Sequence, residues 1–361
     1  IAVPVESRLQ SALSKRFQGP PPYSILYGPS LNMAVSADPE KAKQAGWERY
    51  FTGQAAKGDT IRQSLFARSL GVLSPALSKK TALIIGLGSG GSYVAEQLVR
   101  SGVGKIILID GENVEPENLC RTGYLIGDVG SSKVAAMTRR LLNINPELNV
   151  IPNPRHLADV GKEMLTEYVT TSDIILPLTD DNYAQARINH YAYYYKTPAI
   201  FAALHRGAKV GELILAIPGV TPCLECATAG VRSSNSKIQP DQDYGTSRLM
   251  GEVALGADIH HLDSATVKMS LSLLLRDHPE LQVSQFVKTA IEKDFTSMYI
   301  SMAPTDWAFP TVFANTQAQY MYQSFWTTSK GLNPDCQFCG TNTQCEDPNQ
   351  FALSPDGVKV F

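Results

Sequence analysis

A regular alternation of short apolar runs and helical patterns extends from Thr81 to Leu204, and it constrains the fold more than any other feature of the sequence. The apolar runs are TALIIG, KIILID, LNVIPN, SDIILPL and TPAIFAAL, separated by segments such as SYVAEQLVRSG and SKVAAMTRRLLNI. Continuous apolar strands separated by amphipathic helices indicate a parallel sheet that is covered on both faces. The sequence therefore predicts an α/β fold with a Rossmann-like, largely parallel sheet and helices on both faces.

The regions on either side of this alternation differ from it in composition. Residues 1–58 are turn-rich, and we interpret them as an appended N-terminal segment. Residues 59–361 are predicted to form the main domain, with the alternating half at 81–204, a polar excursion from the sheet at 230–263 and a C-terminal part at 300–345. The run AKVGELILAIPG, which follows the alternation, is predicted to be an edge strand or a hairpin.

The charge of the chain is nearly balanced, with a formal net value of -2 over 361 residues. A protein without a global basic field is not drawn to nucleic acid or to an anionic membrane surface. No apolar run approaches the roughly 20 residues that a transmembrane helix needs. We therefore expect a soluble globular protein that binds neither nucleic acid nor membrane.

Four of the six cysteines form two CxxC pairs, Cys223 with Cys226 and Cys336 with Cys339. Each CxxC turn places two thiolates together, and two such turns supply the four sulfur ligands that Zn²⁺ favours. The alternative is a set of disulfides or a redox motif, but a redox motif needs only one pair. We expect a structural zinc site and hence a reducing, cytoplasmic compartment.

The segment IIGLGSGGS carries a GxGxxG pattern at Gly86, Gly88 and Gly91, between a predicted strand and a predicted helix. Glycines allow a tight turn and a close approach of the backbone, and the helix N-terminus offers N–H groups to a phosphate. The next strand ends at Asp110, whose carboxylate is suited to ribose hydroxyls. The half 81–204 is therefore predicted to bind a nucleotide, and these residues fit an NAD-dependent dehydrogenase and an ATP-using enzyme equally well.

The sequence after Asp110 separates these alternatives. The segments DGENVEPENLCR, DVGSSK and PLTDDN resemble, in order and spacing, the signatures of the ThiF, MoeB and E1 superfamily of adenylating enzymes. An NAD oxidoreductase requires neither NLCR nor the following lysine, so the resemblance favours ATP. It implies that Asp110 binds the ribose, that Asn118, Arg121 and Lys133 bind the phosphates, and that Asp180 binds Mg²⁺.

Two further implications of the resemblance leave alternatives open. Family members usually have an Asp-Asn pair where this chain has Asp180, Asp181 and Asn182, so either acid is a candidate for Mg²⁺; we favour Asp180 and expect the other acid to cap the following helix. The pair formed by Arg62 and Gln63 matches an RQ pair whose arginine reaches the phosphates of the opposite protomer. Arg62 then implies a homodimer, and the alternative is a solvated helix residue.

The resemblance implies ATP-dependent adenylation of the C-terminal carboxylate of a ubiquitin-like protein, followed by conjugation to an E2-like acceptor or by sulfur transfer. The alternatives are a peptide adenylase of the microcin-activating type and a non-catalytic dimeric scaffold of the same fold. A carboxylate with a pKa near ~3.5 is ionised at neutral pH, so no base is required. The pair His260 and His261 is accordingly interpreted as packing or surface, and residues 1–58 as a clamp for a partner or peptide or the remnant of a fused domain.

The fate of an adenylate stays open because the excursion at 230–263 contains no cysteine. Cys120, within NLCR, is expected to be buried beside ATP, and Cys345 lies in the tail. The adenylate is either released to another enzyme, attacked by a hydroxyl of the excursion, or converted within the site. The candidate hydroxyls are those of Ser233, Ser236, Thr246 and Ser247.

Overall fold

The computed structural model describes residues 25–26, 34–35, 65–69, 71–204, 210–235, 254–302, 324–328 and 333–350. The chain divides into two compact units, residues 1–70 and 71–361. In the first unit, strands β1 (Ile25–Leu26) and β2 (Ala34–Val35) pair antiparallel, and Ala67–Ser69 forms a 3-10 turn. Arg62 and Gln63 lie outside the described residues.

A mixed sheet of eight strands forms the centre of the second unit, as far as its residues are described. Its spatial order is β10-β9-β8-β7-β6-β3-β4-β5, in which the strands from β7 to β5 run parallel and those from β7 to β10 run antiparallel. The strands are β3 (Thr81–Ile85), β4 (Lys105–Ile109), β5 (Asn149–Asn153), β6 (Ile174–Pro177), β7 (Ala199–Leu204), β8 (Val210–Ala216), β9 (Phe295–Ser301) and β10 (Ser324–Thr328).

Helices cover both faces of this sheet, as the sequence predicts. Helices α1, α2, α6 and α7 share one apolar core with Ile84 and Leu108, whereas α3 and α4 share a second core with Leu83 and Ile107. Alternate residues of one strand therefore enter opposite cores. No helix in the described ranges is long and apolar enough to cross a membrane. The helices are α1 (Ser89–Arg100), α2 (Lys133–Ile144), α3 (Lys162–Thr170), α4 (Asn182–Tyr195), α5 (Leu224–Asn235), α6 (Gly256–Leu274) and α7 (Gln285–Glu292).

The antiparallel part of the sheet differs from the sequence-based expectation. Strand β8 does pair antiparallel with β7, as a hairpin would, but it is not an edge strand, because β9 pairs with its other side. All seven residues of β8 are buried. Continuous burial of this kind belongs to a strand in the interior of a sheet.

The polar stretch predicted as an excursion at 230–263 is helical at both of its described ends. Helix α5 continues to Asn235, and α6 begins at Gly256. Residues 236–253 lie outside the described residues, and so do Ser236, Thr246 and Ser247. The domain boundaries proposed from the sequence stay predictions.

Candidate functional site

The glycine turn between β3 and α1 is too tight for side chains at two positions. Gly86 has a φ of 87°, and a Cβ atom there would lie 2.6 Å from the carbonyl oxygen of Leu178. A Cβ atom on Gly91 would lie 1.9 Å from the carbonyl oxygen of Gly86. Both residues must therefore be glycine, and the turn after β3 packs directly against the segment after β6.

The N-terminus of α1 is open at the end of this turn. Gly88 is the residue before the helix, it makes no side-chain capping bond, and nothing lies within 4 Å of the position of its missing Cβ. The first N–H groups of a helix have no partner within the helix, and together with the helix dipole they favour an anion. This end of α1 can accept a phosphate group.

Asp110 joins the glycine turn to the end of β4. Its Oδ2 accepts a hydrogen bond of 2.6 Å from the N–H of Leu87, and its Oδ1 accepts one of 2.8 Å from the N–H of Glu112. Burial raises the pKa of Asp110, while these backbone hydrogen bonds and the nearby charge of Lys133 oppose the rise. The carboxyl group is thus fixed beside the turn, where its remaining lone pairs can accept hydrogen bonds from a ligand.

Lys133 is a buried cation at the first position of α2. The residue is 6% exposed, and its ammonium group forms an ion pair with Glu112, whose side chain is 61% exposed. Its backbone N–H also donates a 2.9 Å hydrogen bond to the carbonyl of Glu112. Because the partner carboxylate reaches solvent, an anionic ligand can replace it without leaving that carboxylate buried and unpaired.

The NLCR segment lies against the beginning of α6. Asn118 stabilises the start of the 3-10 helix Pro116–Cys120, because its Oδ1 accepts a 2.9 Å hydrogen bond from the N–H of Glu115. The Cα atom of Arg121 lies 3.5 Å from the position of a Cβ on Gly256. Asn118 therefore has a structural role in the turn, and its amide N–H groups are the part of the side chain suited to a phosphate.

Cys120 corrects one expectation, because it is exposed rather than buried. Its thiol donates to the carbonyl of Glu117 at 3.2 Å, within the same turn. The other cysteine outside the CxxC pairs, Cys345, is half-buried, and burial raises the pKa of its thiol to about 11.

The two acids after β6 have different environments. Asp181 caps α4, since its Oδ1 accepts hydrogen bonds from Tyr183 at 2.9 Å and from Ala184 at 3.2 Å. Asp180 is exposed and does not take part in this cap. One acid thus has a helix-capping role, and Asp180 stays the candidate ligand for a cation.

Among the site residues predicted from sequence, the glycine turn, Asp110 and Lys133 come together at the carboxyl edge of β4, β3 and β6. Asp180 follows β6, whereas Arg121 lies against the start of α6 and the four cysteines form a separate cluster. The glycine turn contacts Asp110 on one side and Leu178 on the other, and Lys133 is near enough to Asp110 to affect its pKa. Sequence reasoning missed Glu112 and the buried Tyr124, whose hydroxyl donates a 2.7 Å hydrogen bond to the carbonyl of Leu87. Neither residue belongs to a sequence motif, because each makes its contact only in the folded protein.

The two CxxC pairs are far apart in sequence, but the fold brings them close together in space. The sulfur atoms of Cys223, Cys226, Cys336 and Cys339 lie within 4.8 Å of one another. The Sγ atoms of Cys223 and Cys336 are 3.7 Å apart, as are those of Cys226 and Cys339. A tetrahedral ion with Zn–S bonds of about 2.3 Å sets its sulfur ligands about 3.8 Å apart, so this cysteine cluster has the geometry of a zinc site.

The cysteine cluster is anchored on α4 rather than on the carboxyl edge. The N–H of Leu224 donates to Asn189 Oδ1 at 2.9 Å, and Tyr193 donates to the carbonyl of Thr221 at 2.9 Å. The ring of Phe338, between the second pair of cysteines, lies 5.0 Å from the ring of His190. All four cysteines belong to or contact the apolar core that contains α3 and α4, which indicates a structural role for the cluster.

Comparison with known proteins gives the chain its family. Residues 64–347 match the model of the ThiF family. The chain is 34% identical over 172 residues to the sulfur carrier protein ThiS adenylyltransferase of Bacillus subtilis, covering 47% of this chain and 50% of that protein. It is 30% identical over 168 residues to the ubiquitin-like modifier-activating enzyme 5 of Drosophila willistoni, covering 44% and 41%.

The chain spans about half the length of the curated relatives it matches. Among solved structures, E. coli MccB in complex with MccA-N7isoASN is similar in fold, with a TM-score of 0.53 and 19% identity over 85% of this chain and 83% of that one. The family match covers well over half of the chain and includes both the glycine turn and the cysteine cluster. The chain therefore belongs to the ThiF family.

Proposed function

We propose that this protein uses ATP to adenylate the C-terminal carboxylate of a ubiquitin-like protein, releasing pyrophosphate, for onward conjugation or sulfur transfer. The observation that carries the proposal is one juxtaposition: the open N-terminus of α1, the carboxyl of Asp110 bonded to the glycine turn, and the buried cation of Lys133 beside it. Membership of the ThiF family and the similarity to the sulfur carrier protein ThiS adenylyltransferase support it.

The chemistry of adenylation explains the residue types at this edge. The substrate carboxylate attacks the α-phosphorus, the bond to the bridging oxygen breaks, and that oxygen leaves with pyrophosphate. Negative charge spreads over the phosphate oxygens in the transition state, so fixed positive charge accelerates the step. Arg121, Lys133 and the first N–H groups of α1 supply that charge, and Asp110 binds the ribose and so fixes the nucleotide.

Asp180 is the residue that would hold Mg²⁺. An exposed carboxylate that does not cap α4 suits a hard cation that keeps several of its water ligands. Mg²⁺ held by Asp180 would supply positive charge against the negative charge that develops on the phosphates. The zinc ion that fits the cysteine cluster would take no part in this reaction.

A short peptide is the second candidate substrate, because its C-terminal carboxylate undergoes the same reaction. The likeness in fold to E. coli MccB, which was solved in complex with MccA-N7isoASN, is the observation that favours this second candidate. A ubiquitin-like protein carries a long extended tail, and a peptide substrate is nearly all tail. The two candidates are therefore distinguished by the body of the substrate and not by the reacting group.

The test is to incubate the protein with ATP, Mg²⁺ and candidate substrates, and to measure an AMP adduct on the substrate by mass spectrometry. Ubiquitin-like proteins and short peptides with a free C-terminus form the two arms. The matched control for each is the same substrate with a C-terminal amide, which removes the nucleophilic carboxylate and should give no adduct. ATP binding without any adduct across both arms would contradict adenylation and favour a nucleotide-binding scaffold.

A further inference from the structure

Asp263 is a buried acid that the proposed reaction does not use. It lies on α6 and is only 3% exposed. Its Oδ2 atom has no hydrogen-bond partner among the described residues. Buried carboxylates are normally paired or hydrogen-bonded, so an unpaired one requires an explanation.

The position of Asp263 supplies that explanation. A Cβ atom on Gly90 would lie 2.9 Å from Asp263 Oδ1, so the carboxyl lies against the first turn of α1. This is the same turn whose open N-terminus is proposed to bind the phosphates of ATP. A negative charge on Asp263 and a phosphate would therefore occupy neighbouring positions at one helix end and repel each other.

No opposite charge in the described residues stabilises an ionised Asp263. On α1, Tyr93 faces α6, but its hydroxyl is shared with Ser264 at 3.0 Å and its ring stacks on His260 at 4.4 Å. His260 hydrogen-bonds the backbone carbonyl of Arg121, and burial lowers the pKa of its ring, which favours the neutral form. Neither the phenol of Tyr93 nor the neutral ring of His260 supplies a positive charge to Asp263.

The strands beneath α6 add no charge next to Asp263. Leu262 of α6 lies 3.2 Å from the position of a Cβ on Gly211, so this residue of β8 faces the helix and its neighbour Glu212 faces the opposite side of the sheet. Strands β6 and β7 carry no charged residues. Burial accordingly raises the pKa of Asp263 to about 8. The helix dipole of α1 opposes this rise, by roughly 0.2 to 0.7 pKa unit at an exposed helix end and by up to about 1.5 units at a partly buried one.

We propose that Asp263 is a positioning residue of the nucleotide site, whose carboxyl must be protonated for the first turn of α1 to hold phosphate. The inference rests on the proposed function, since it concerns the same bound ATP. On binding at alkaline pH, the carboxylate takes one proton from solvent and becomes a neutral carboxylic acid. ATP binding is therefore linked to proton uptake, and the affinity falls as the pH rises through the pKa of the free protein.

The size of this linkage follows from that pKa. Asp263 is mostly protonated at pH 7 and mostly ionised at pH 9 when ATP is absent. The dissociation constant for Mg·ATP should rise about tenfold between pH 7 and pH 9 because of this one group. Binding should take up close to one proton at pH 9 and about a tenth of a proton at pH 7.

The experiment is calorimetric titration of Mg·ATP into the full chain at pH 7 and pH 9, in pairs of buffers with different ionisation enthalpies. Asp263→Asn keeps the shape of the side chain without the charge, and it should remove both the tenfold pH effect and the proton uptake. Asp258→Asn, on the same helix, removes an acid with no contact to Gly90 and should behave like the wild type.

Equal pH slopes in the wild type and in Asp263→Asn would overturn the inference while leaving ATP binding intact. Absence of ATP binding to the wild type at either pH would instead contradict the proposed function. If Asp263→Asn does not fold, the wild type alone decides, because uptake of less than about half a proton at pH 9 would overturn the linkage.

Discussion

The carboxyl edge and the cysteine cluster differ in how completely the chain satisfies their polar groups. The four sulfur atoms of the cysteine cluster lie within 4.8 Å of one another, and two of their separations, 3.7 Å each, match those around a zinc ion. At the carboxyl edge, Lys133 depends on a carboxylate that reaches solvent, and the end of α1 has no side-chain cap. The comparison indicates a closed structural site and an open site that is completed by a ligand.

This difference separates two kinds of damage. Loss of a cysteine ligand should reduce the stability of the fold and affect every activity together. Loss of a charge at the carboxyl edge should leave the fold intact and affect only the step in which that charge is needed. The predictions below test this separation in order of decreasing effect.

Removal of a zinc ligand should have the largest effect. Structural zinc contributes roughly 10 kcal/mol or more of apparent binding free energy in small domains, and that energy is folding energy. Cys223→Ser should therefore lower the unfolding temperature strongly and abolish the expected binding of one zinc per chain, measured by metal analysis. Cys345→Ser is the matched control and should keep both zinc and stability. Disulfides among the four cysteines, or wild-type protein without zinc, would contradict the assignment.

Removal of a positive charge at the carboxyl edge should reduce catalysis without unfolding the protein. Lys133→Ala or Arg121→Ala should slow substrate-dependent ATP–pyrophosphate exchange by about 10²- to 10³-fold, or roughly 2.7 to 4 kcal/mol, because transition-state charge loses a fixed partner. Lys288→Ala is a surface control, since this lysine is exposed and pairs with Glu292 on its own helix. Unchanged exchange in Lys133→Ala would show that this lysine has no part in the reaction.

If Arg62 serves the site of a neighbouring protomer, as the sequence predicts, inactive variants should complement each other. Inactive Arg62→Ala chains mixed with inactive Lys133→Ala chains should regain about a quarter of the wild-type exchange rate, because half of the dimers are mixed and each has one intact site. Mixing should have no effect if the protein is monomeric or if Arg62 acts within its own chain. A sedimentation measurement of each variant confirms whether dimers form.

Substitution of the two acids after β6 should have smaller effects, one on stability and the other on activity. Asp181→Ala removes the cap of α4 and should lower the free energy of unfolding by about 0.5 to 2 kcal/mol. Asp180→Ala should leave stability nearly unchanged and reduce exchange in the presence of Mg²⁺. Both variants should be measured by denaturant unfolding and by the exchange assay. A loss of stability in Asp180→Ala together with a loss of exchange in Asp181→Ala would contradict the assignment.

The sequence predicted the parallel half of the sheet well because its signal is local. Strands β3, β4, β6 and β7 are largely apolar runs, and most of the strands from β3 to β7 are separated by helices with clear periodicity. Strand β5 has a weaker signal, because asparagines stand at both of its ends. The antiparallel strands β9 and β10 and helix α3 were not predicted. A strand such as β8 gains its second neighbour from a segment about 80 residues further along, and no local pattern encodes that pairing.

The candidate site was predictable where spacing carries the chemistry. The CxxC pairs and the glycine turn were predicted by position, and the positive φ of Gly86 explains one of the glycines. The ion pair of Lys133 with Glu112 and the contact of Asp263 with Gly90 were not predictable, because only tertiary packing brings them together. The prediction that Cys120 is buried was wrong for a related reason, since the fold decides which side of a short turn faces solvent.

The central claim is that the carboxyl edge activates a carboxylate with ATP without the use of a thiol of this chain. The most direct test is ATP–pyrophosphate exchange in the double variant Cys120→Ser and Cys345→Ser, driven by a substrate with a free C-terminus and by the same substrate with a C-terminal amide. We expect exchange at close to the wild-type rate with the free carboxylate and none with the amide. Loss of exchange in a double variant that still folds and binds zinc, or equal exchange with the amide, would contradict the claim.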